Sequence, residues 1–278
     1  MFIRCWGARG SVPVSGSDYQ KYGGDTPCLE IRTNKDSILI IDAGTGIRRL
    51  GNLLLSEKKH TYTMLFTHVH WDHIIGLPFF APIFRSSTQL SIFGCPFQAA
   101  SFRDVISPVI QTPYFPVNLK TLKARINYTD FCQGTLQIDD MTITSIPLSH
   151  PNRGLGFRFE ENGKSFAFLT DNELGYRHPE GLEYNDYRDF ARDADLLVHD
   201  AEFLPEEYFN HNQRWGHSSY TDALRLAMDA KVVRFGLYHH NQDRKDAAID
   251  IMVKDCQKKA AGSNLECFAL AQDMAISL

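Results

Sequence analysis

The sequence predicts an α/β protein, because segments with the pattern of short buried strands alternate with segments of helical pattern. Near the N-terminus, the apolar run 37–42 leads through turn-forming glycines into a helical segment at 46–56. Nearer the C-terminus, strand-like runs at 195–199 and 232–238 flank a helical segment at 218–230.

Local signals justify the elements in turn. Gly44 and Gly46 mark the turn before the first helix, and Ser218 or Ser219 can cap the second. The pair Asn162-Gly163 predicts a hairpin between the strands that flank it. In chain order the predicted elements are strands at 2–6, 28–33 and 37–42, a helix at 46–56, strands at 62–67, 141–148, 155–160, 165–170 and 195–199, a helix at 218–230 and a strand at 232–238.

Composition indicates an ordinary globular chain. It has 278 residues, 43% of them hydrophobic, with no repeat and no linker-like stretch, so one domain over 1–278 is predicted. The net charge of -4 offers no general electrostatic attraction for long nucleic acids.

Localisation is predicted to be cytoplasmic. No apolar run approaches the ~20 residues that span a bilayer, and the first residues lack the pattern of a signal peptide. The six cysteines are scattered without a CxxC pair, so most are expected to be reduced, small core residues.

Four predicted strands end on a residue that can bind a metal ion. Ligands at the same ends of neighbouring strands converge in space, so these pairs predict a metal site: Thr67-His68, Ser149-His150, Thr170-Asp171 and Tyr238-His239.

The densest signal is the run His68-Val69-His70-Trp71-Asp72-His73, with four potential ligands in six residues. On an extended turn, His68 and His70 can share one ion while Asp72 and His73 face a second. Imidazole suits zinc and iron, and carboxylate adds affinity for manganese. The alternative is an exposed histidine-rich loop.

This run resembles the signature of the metallo-β-lactamase superfamily, and Asp42-Ala43-Gly44-Thr45-Gly46 resembles the family's strand-end aspartate before a helix. The chain looks most similar to the phosphodiesterase branch, which includes tRNase Z and phosphodiesterases of cyclic phosphates and cyclic nucleotides. The resemblance implies an αββα sandwich, in which two packed mixed sheets are flanked by helices.

The resemblance also implies a ligand set for two divalent ions, with Zn²⁺ favoured and Mn²⁺ or Fe as alternatives. Asp171 would bridge the ions, and His240 is the alternative to His239. Asp42 is expected to hold a turn or a hydrogen bond to a ligand, not a metal. The first ion would be held by His68, His70 and His150, and the second by Asp72, His73 and His239.

A second motif, His199-Asp200-Ala201-Glu202 followed by His217, resembles the tRNase Z motif in which a carboxylate pairs with a later histidine. That family usually has Glu where this chain has Asp200. Asp200 would orient His217, which would protonate the leaving oxygen. The alternative is that both residues are structural.

The predicted function is hydrolysis of a phosphodiester by a metal-bridging hydroxide, with Asp72 also orienting the nucleophile. The substrate is expected to be a small cyclic phosphodiester or cyclic nucleotide. Segment 172–194 is acidic, unlike the long basic arm that tRNase Z enzymes commonly carry, so RNA is a less favoured partner.

Alternatives remain open at this point. The chain could be an RNA-processing nuclease of the tRNase Z type, a lactonase or thioesterase of the same fold, or a metal-stabilised sensor without turnover. The aromatic segment 102–116 could cover the site or belong to the core. A homodimer is a further expectation, since dimerisation is common in the resembling enzymes.

Overall fold

The computed structural model describes residues 1–96 and 99–278. The strands are β1 (Phe2–Gly7), β2 (Cys28–Arg32), β3 (Ile38–Ile41), β4 (Thr61–Leu65), β5 (Gln89–Gly94), β6 (Arg125–Asp130), β7 (Thr135–Ile138), β8 (Met141–Pro147), β9 (Leu155–Glu161), β10 (Lys164–Leu169), β11 (Leu196–Asp200), β12 (Arg234–Tyr238), β13 (Glu266–Ala269) and β14 (Ala275–Ser277). The α-helices are α1 (Ile47–Ser56), α2 (Trp71–Ile74), α3 (Phe102–Ile106), α4 (Tyr184–Ala191), α5 (Pro205–Glu207), α6 (Tyr220–Asp229) and α7 (Asp246–Lys259).

The chain forms two compact units, and each has its own seven-stranded sheet. The prediction of one domain over 1–278 stays a prediction. The first unit comprises Met1–Pro13, Gly24–Cys132 and Gln272–Ser277, and the second comprises Val14–Gly23, Gln133–Ala271 and Leu278.

The sheet of the first unit has the order β14-β1-β2-β3-β4-β5-β6, with β3 to β6 parallel. Helix α1 buries Ile47, Leu50 and Leu54, spaced to form one apolar face, in the core of this unit. Because β3 and β4 are parallel neighbours, the residues that follow them, including Asp42 and Thr67, lie at one sheet edge.

The sheet of the second unit has the order β13-β12-β11-β10-β9-β8-β7, with β10 to β13 parallel. Strand β9 is antiparallel to both β8 and β10, so β8 runs in the same direction as β10. The segments that follow β8, β10, β11 and β12 therefore leave the sheet at one edge. Helices α6 and α7 contribute Leu224, Leu226 and Met252 to the core of this unit.

Two turn predictions are confirmed. The chain between β9 and β10 turns at Asn162 and Gly163, which both have positive φ, as a tight hairpin requires. The hydroxyl of Ser219 accepts the backbone N–H of Asp222 and caps α6.

The predicted extended turn at 68–73 is wrong in its second half. Strand β4 ends at Leu65, and α2 begins at Trp71, directly after His70. Asp72 and His73 therefore lie on one helical turn.

Part of the aromatic segment 102–116 belongs to the core, and its role in covering the site stays a prediction. Phe102 is buried in the core of the first unit, and the ring of Phe115 packs on Phe79. Tyr114, in contrast, is 75% exposed.

Four of the six cysteines are buried thiols, which confirms the prediction for most of them. Cys95 and Cys132, in contrast, form a disulfide. Their separation of 37 residues gave no local signal of pairing.

Candidate metal centre and acid–base pair

In the first unit, Asp42 organises the turn that carries the histidine-rich run. It follows β3 with a φ of 61°, a left-handed conformation that Asp tolerates. Oδ1 of Asp42 accepts the backbone N–H of Thr67 at 2.8 Å, and Oδ2 accepts the Thr67 hydroxyl at 2.8 Å. Asp42 Oδ2 also lies 2.8 Å from Nδ1 of His73. Burial raises the pKa of Asp42 above its ordinary value, although the bonds to His73 and Thr67 oppose that shift.

These contacts determine which atom of His73 faces outward from the turn. Because Nδ1 is paired with a carboxylate, Nε2 is the nitrogen left for a metal ion. This Nε2 lies 3.3 Å from Oδ2 of Asp72. The ring of His68 lies 4.1 Å from that of His73 and 4.6 Å from that of His70, measured between centroids.

In the second unit, Asp171 and His239 follow the parallel strands β10 and β12 with φ values of 54° and 57°. Both residues are buried, and Nε2 of His239 lies 3.4 Å from Oδ2 of Asp171. Nε2 of His150, which follows β8, lies 3.8 Å from the same oxygen. The topology thus brings three predicted ligands of this unit together.

His150 and His239 are each held through Nδ1. Nδ1 of His150 donates to the carbonyl oxygen of Gly216 at 2.9 Å, and Nδ1 of His239 lies 3.0 Å from Oε2 of Glu202. Burial would raise the pKa of Glu202, but His217 and His239 outweigh it and hold the pKa below its ordinary value. Both imidazoles therefore present Nε2 toward Asp171.

His239 and His240 have different environments. Nε2 of His240 donates to the carbonyl oxygen of Leu270 at 2.8 Å, and its ring packs edge-on against Tyr22. His239, not His240, is the neighbour of Asp171.

The second motif forms a hydrogen-bonded pair. Nδ1 of His217 lies 2.7 Å from Oδ2 of Asp200, 3.4 Å from Oε2 of Glu202 and 3.9 Å from Oδ2 of Asp171. The His217 ring also stacks on His239, with centroids 4.8 Å apart. Burial lowers the proton affinity of His217, but the carboxylates of Glu202, Asp200 and Asp171 outweigh it and raise its pKa.

The donor set of each unit fits divalent metal ions. Two donors ~2.1 Å from one tetrahedral ion stand roughly 3.4 Å apart. The distance of 3.4 Å between His239 Nε2 and Asp171 Oδ2 and the distance of 3.3 Å between His73 Nε2 and Asp72 Oδ2 match that geometry. Imidazole nitrogen with carboxylate oxygen suits zinc, iron and manganese.

Comparison with known proteins agrees with the fold. Residues 38–240, more than half of the chain, match the family described as "Beta-lactamase superfamily domain". The chain belongs to the beta-lactamase superfamily. The predicted resemblance to this superfamily and the predicted hydrolase class are confirmed.

Three similar proteins illustrate the relationship. Ribonuclease Z of Thermococcus onnurineus is 23% identical over 260 residues, covering 77% of this chain and 79% of that protein. The crystal structure of the metallo-beta-lactamase fold protein YhfI from Bacillus subtilis is 18% identical with a TM-score of 0.73, covering 99% and 98% of the two chains. A diphosphatase from the PhnP family is 16% identical with a TM-score of 0.69, covering 100% of this chain and 97% of its own.

These likenesses confirm the predicted fold class, an α/β fold with two mixed sheets and flanking helices. Within residues 1–96 and 99–278, no helix has the length and apolar character that crossing a membrane requires. The cytoplasmic location and the homodimer stay predictions.

The contact between Glu202 and His239 was not predicted, although Glu202 belongs to the motif that contains Asp200. The two residues are 37 positions apart, so no local spacing signals the contact.

Proposed function

We propose that the protein is a two-metal hydrolase of phosphodiester bonds, acting on small cyclic phosphodiesters or cyclic nucleotides. The observation that carries the proposal is the hydrogen-bonded pair of Asp200 and His217 beside Asp171. An alkoxide is a poor leaving group, and a positioned acid next to a metal site removes that obstacle. Hydrolysis of an amide or a thioester has less need of such a pair.

The proposed ligand set is the one that the resemblance implies. In the first unit it comprises His68, His70, Asp72 and His73, and in the second it comprises His150, Asp171 and His239. When bound, two divalent ions would lower the pKa of a water molecule toward neutrality and neutralise charge on the phosphoryl oxygens.

The chain's own residues supply the remaining steps. Each of three proposed ligands is held through Nδ1, which leaves Nε2 for the metal. Asp42 holds His73, the carbonyl oxygen of Gly216 holds His150, and Glu202 holds His239. Asp72 is proposed to orient the nucleophile. Asp200 holds His217 through Nδ1, so the proton for the leaving oxygen would come from Nε2.

Segment 172–194 supports a small substrate. It holds six acidic and three arginine residues. Its helix α4 buries Tyr187 and Ala191 in the core of the second unit and begins with a capping box of Glu183 and Asp186. A short acidic helix folded against a core is poorly suited to grip RNA.

The curated relatives named Ribonuclease Z make an RNA-processing nuclease the second candidate. The pair of Asp200 and His217 suits that chemistry equally well, so the two candidates differ in substrate size and not in mechanism.

A substrate panel on zinc- or manganese-loaded protein tests the proposal. We expect turnover of bis(p-nitrophenyl) phosphate and of a 3′,5′-cyclic nucleotide, and none of a pre-tRNA. Turnover of a lactone or thioester with no phosphodiester hydrolysis would contradict the proposal, and cleavage of pre-tRNA would favour the second candidate.

A further inference from the structure

Beyond the predicted site, a buried carboxylate of the second unit collects four hydrogen bonds. Glu173 is 1% exposed. Its Oε1 accepts the Tyr208 hydroxyl at 2.8 Å and the backbone N–H of Arg214 at 2.7 Å. Its Oε2 accepts the backbone N–H of Gly216 at 2.8 Å and lies 2.8 Å from Nε2 of His178. A carboxylate can only accept, so all four partners donate to it.

The segment that Glu173 holds ends at the proposed site. The carbonyl oxygen of Gly216 accepts Nδ1 of His150, and the next residue is His217. Gly216 has a φ of 92°, and a Cβ there would lie 2.1 Å from Nδ1 of His150. The backbone therefore approaches His150 so closely that a small displacement of Gly216 would break the contact that orients the imidazole.

Tyr208 is buried, but residues 209–215 are exposed or half-buried. Phe209 is 63% exposed and Trp215 is 62% exposed. Residues 208–212 form a π-helix, and Arg214 has a φ of 71°. Beyond Tyr208, hydrogen bonds to the buried carboxylate of Glu173 therefore hold residues 209–216 in place of apolar packing.

We propose that Glu173 is a positioning residue, which fixes Gly216 and through it both the metal ligand His150 and the acid His217. Glu173 lies two positions after Asp171, and its own backbone N–H donates to the carbonyl oxygen of Ser149 at 2.8 Å. One short segment therefore connects the residues that follow β8 and β10 with residues 214–217. This role rests on the proposed function.

Zinc affinity shows whether Glu173 positions a metal ligand or only stabilises the fold. Glu173→Gln retains the shape of the side chain but removes its charge. The NH2 group of the amide then faces two hydrogen-bond donors that it cannot accept from. The matched control, Tyr208→Phe, removes one bond to Oε1 and leaves the bond to Gly216 in place. We expect Glu173→Gln to weaken Zn²⁺ binding about tenfold or more, measured by competition with a chromophoric chelator, and Tyr208→Phe to change it less than about twofold.

Kinetics give a second readout. Glu173→Gln should lower kcat for a cyclic nucleotide with KM nearly unchanged, since His217 would lose its position while substrate contacts stay. Equal zinc affinity and kcat in Glu173→Gln and Tyr208→Phe, at similar thermal stability, would overturn the proposal. Should Glu173→Gln fail to fold, Glu173→Asp keeps the charge on a shorter arm, and unchanged zinc affinity in that variant would overturn it as well.

The variant His150→Ala tests the proposed ligand set separately from the role of Glu173. If it leaves zinc affinity unchanged, the proposed ligand set fails and the role of Glu173 fails with it. If it weakens zinc binding while Glu173→Gln does not, the ligand set stands and the role of Glu173 alone is lost.

Discussion

Nδ1 of His217 lies 2.7 Å from Oδ2 of Asp200, and the backbone N–H of Glu202 donates to Oδ1 of the same aspartate. The aspartate is fully buried, and each of its oxygens contacts a protein donor. Asp200 therefore accepts the proton on Nδ1 of His217. When the ring is protonated, which the neighbouring carboxylates favour, the proton on Nε2 is the one that His217 can transfer.

The role of His217 as an acid predicts a dependence on the leaving group. His217→Ala should lower kcat for a 3′,5′-cyclic nucleotide by about 10²- to 10⁴-fold, because an alkoxide then leaves without a proton. For bis(p-nitrophenyl) phosphate, whose leaving group needs no proton, we expect a change of less than about tenfold. Steady-state kinetics on both substrates measures the difference.

Asp200→Asn is the companion variant, since it keeps the size of the side chain and removes its charge. As with His217→Ala, kcat should fall more for the cyclic nucleotide than for bis(p-nitrophenyl) phosphate. An equal loss on both substrates in either variant would argue that the pair maintains the fold of the site and does not protonate the leaving group.

Substitutions of the adjacent residues His239 and His240 should affect metal content differently. His239→Ala should remove one ion or weaken its binding strongly, because its Nε2 faces Asp171. His240→Ala should keep the metal content and lose thermal stability, because its Nε2 bonds the carbonyl oxygen of Leu270. Metal analysis after dialysis, with thermal unfolding in parallel, tests both. The reverse pattern would move the ligand to His240.

The contact between Asp42 and His73 predicts an effect on metal affinity. Asp42→Asn should weaken Zn²⁺ binding by about 10- to 100-fold, because an amide cannot accept from Thr67 and His73 as the carboxylate does. Thr67→Val removes a hydroxyl that lies 3.1 Å from Nδ1 of His68, and it should weaken binding less, because Asp42 still holds His73. If the two variants bind Zn²⁺ equally well, Asp42 holds the turn and not the ligand.

The buried, neutral ring of His199 should make the protein less stable to unfolding at acidic pH. Its Nδ1 donates to the carbonyl oxygen of Asp200, and its Nε2 accepts the Asn172 amide at 3.2 Å, so the ring is held neutral. Burial lowers its pKa from 6.5 to about 4, although the bond to Asp200 opposes that shift. Between those two values the unfolded chain binds a proton that the folded chain does not. This contribution to stability is therefore complete above about pH 6.5 and declines as the pH falls toward 4.

Urea unfolding of chelator-treated protein at pH 7 and pH 5 measures this effect without metal release. The free energy of unfolding should fall by about 2 kcal/mol more in the unsubstituted protein than in His199→Gln. Equal losses in the two proteins would show that His199 does not contribute.

Much of the site could be predicted because its ligands follow strands. The runs before Asp171 and His239 are apolar and short, and parallel neighbours must end at one edge, so their convergence within the second unit follows from sequence. The pairing of Asp200 with His217 came from a motif resemblance, and the distance between them agrees with it.

Other features of the site could not be predicted, because they depend on contacts between residues distant in sequence. Gly216 meets His150 across 66 positions and Glu173 across 43, so no spacing rule marks either pair. Strand β6 was missed because only Ile126 and Tyr128 alternate with polar residues in it, which is too short a pattern to distinguish a strand from a loop. Helix α7 did carry a readable signal, since Ile249, Met252 and Cys256 form one buried face.

The central claim is that this chain holds a pair of divalent ions, and metal content per chain tests it most directly. Protein purified without chelator and reconstituted with Zn²⁺ should contain about two ions per chain by elemental analysis, falling to one or fewer in Asp171→Ala. A folded protein with no stoichiometric metal, or with a content that Asp171→Ala leaves unchanged, would contradict the account.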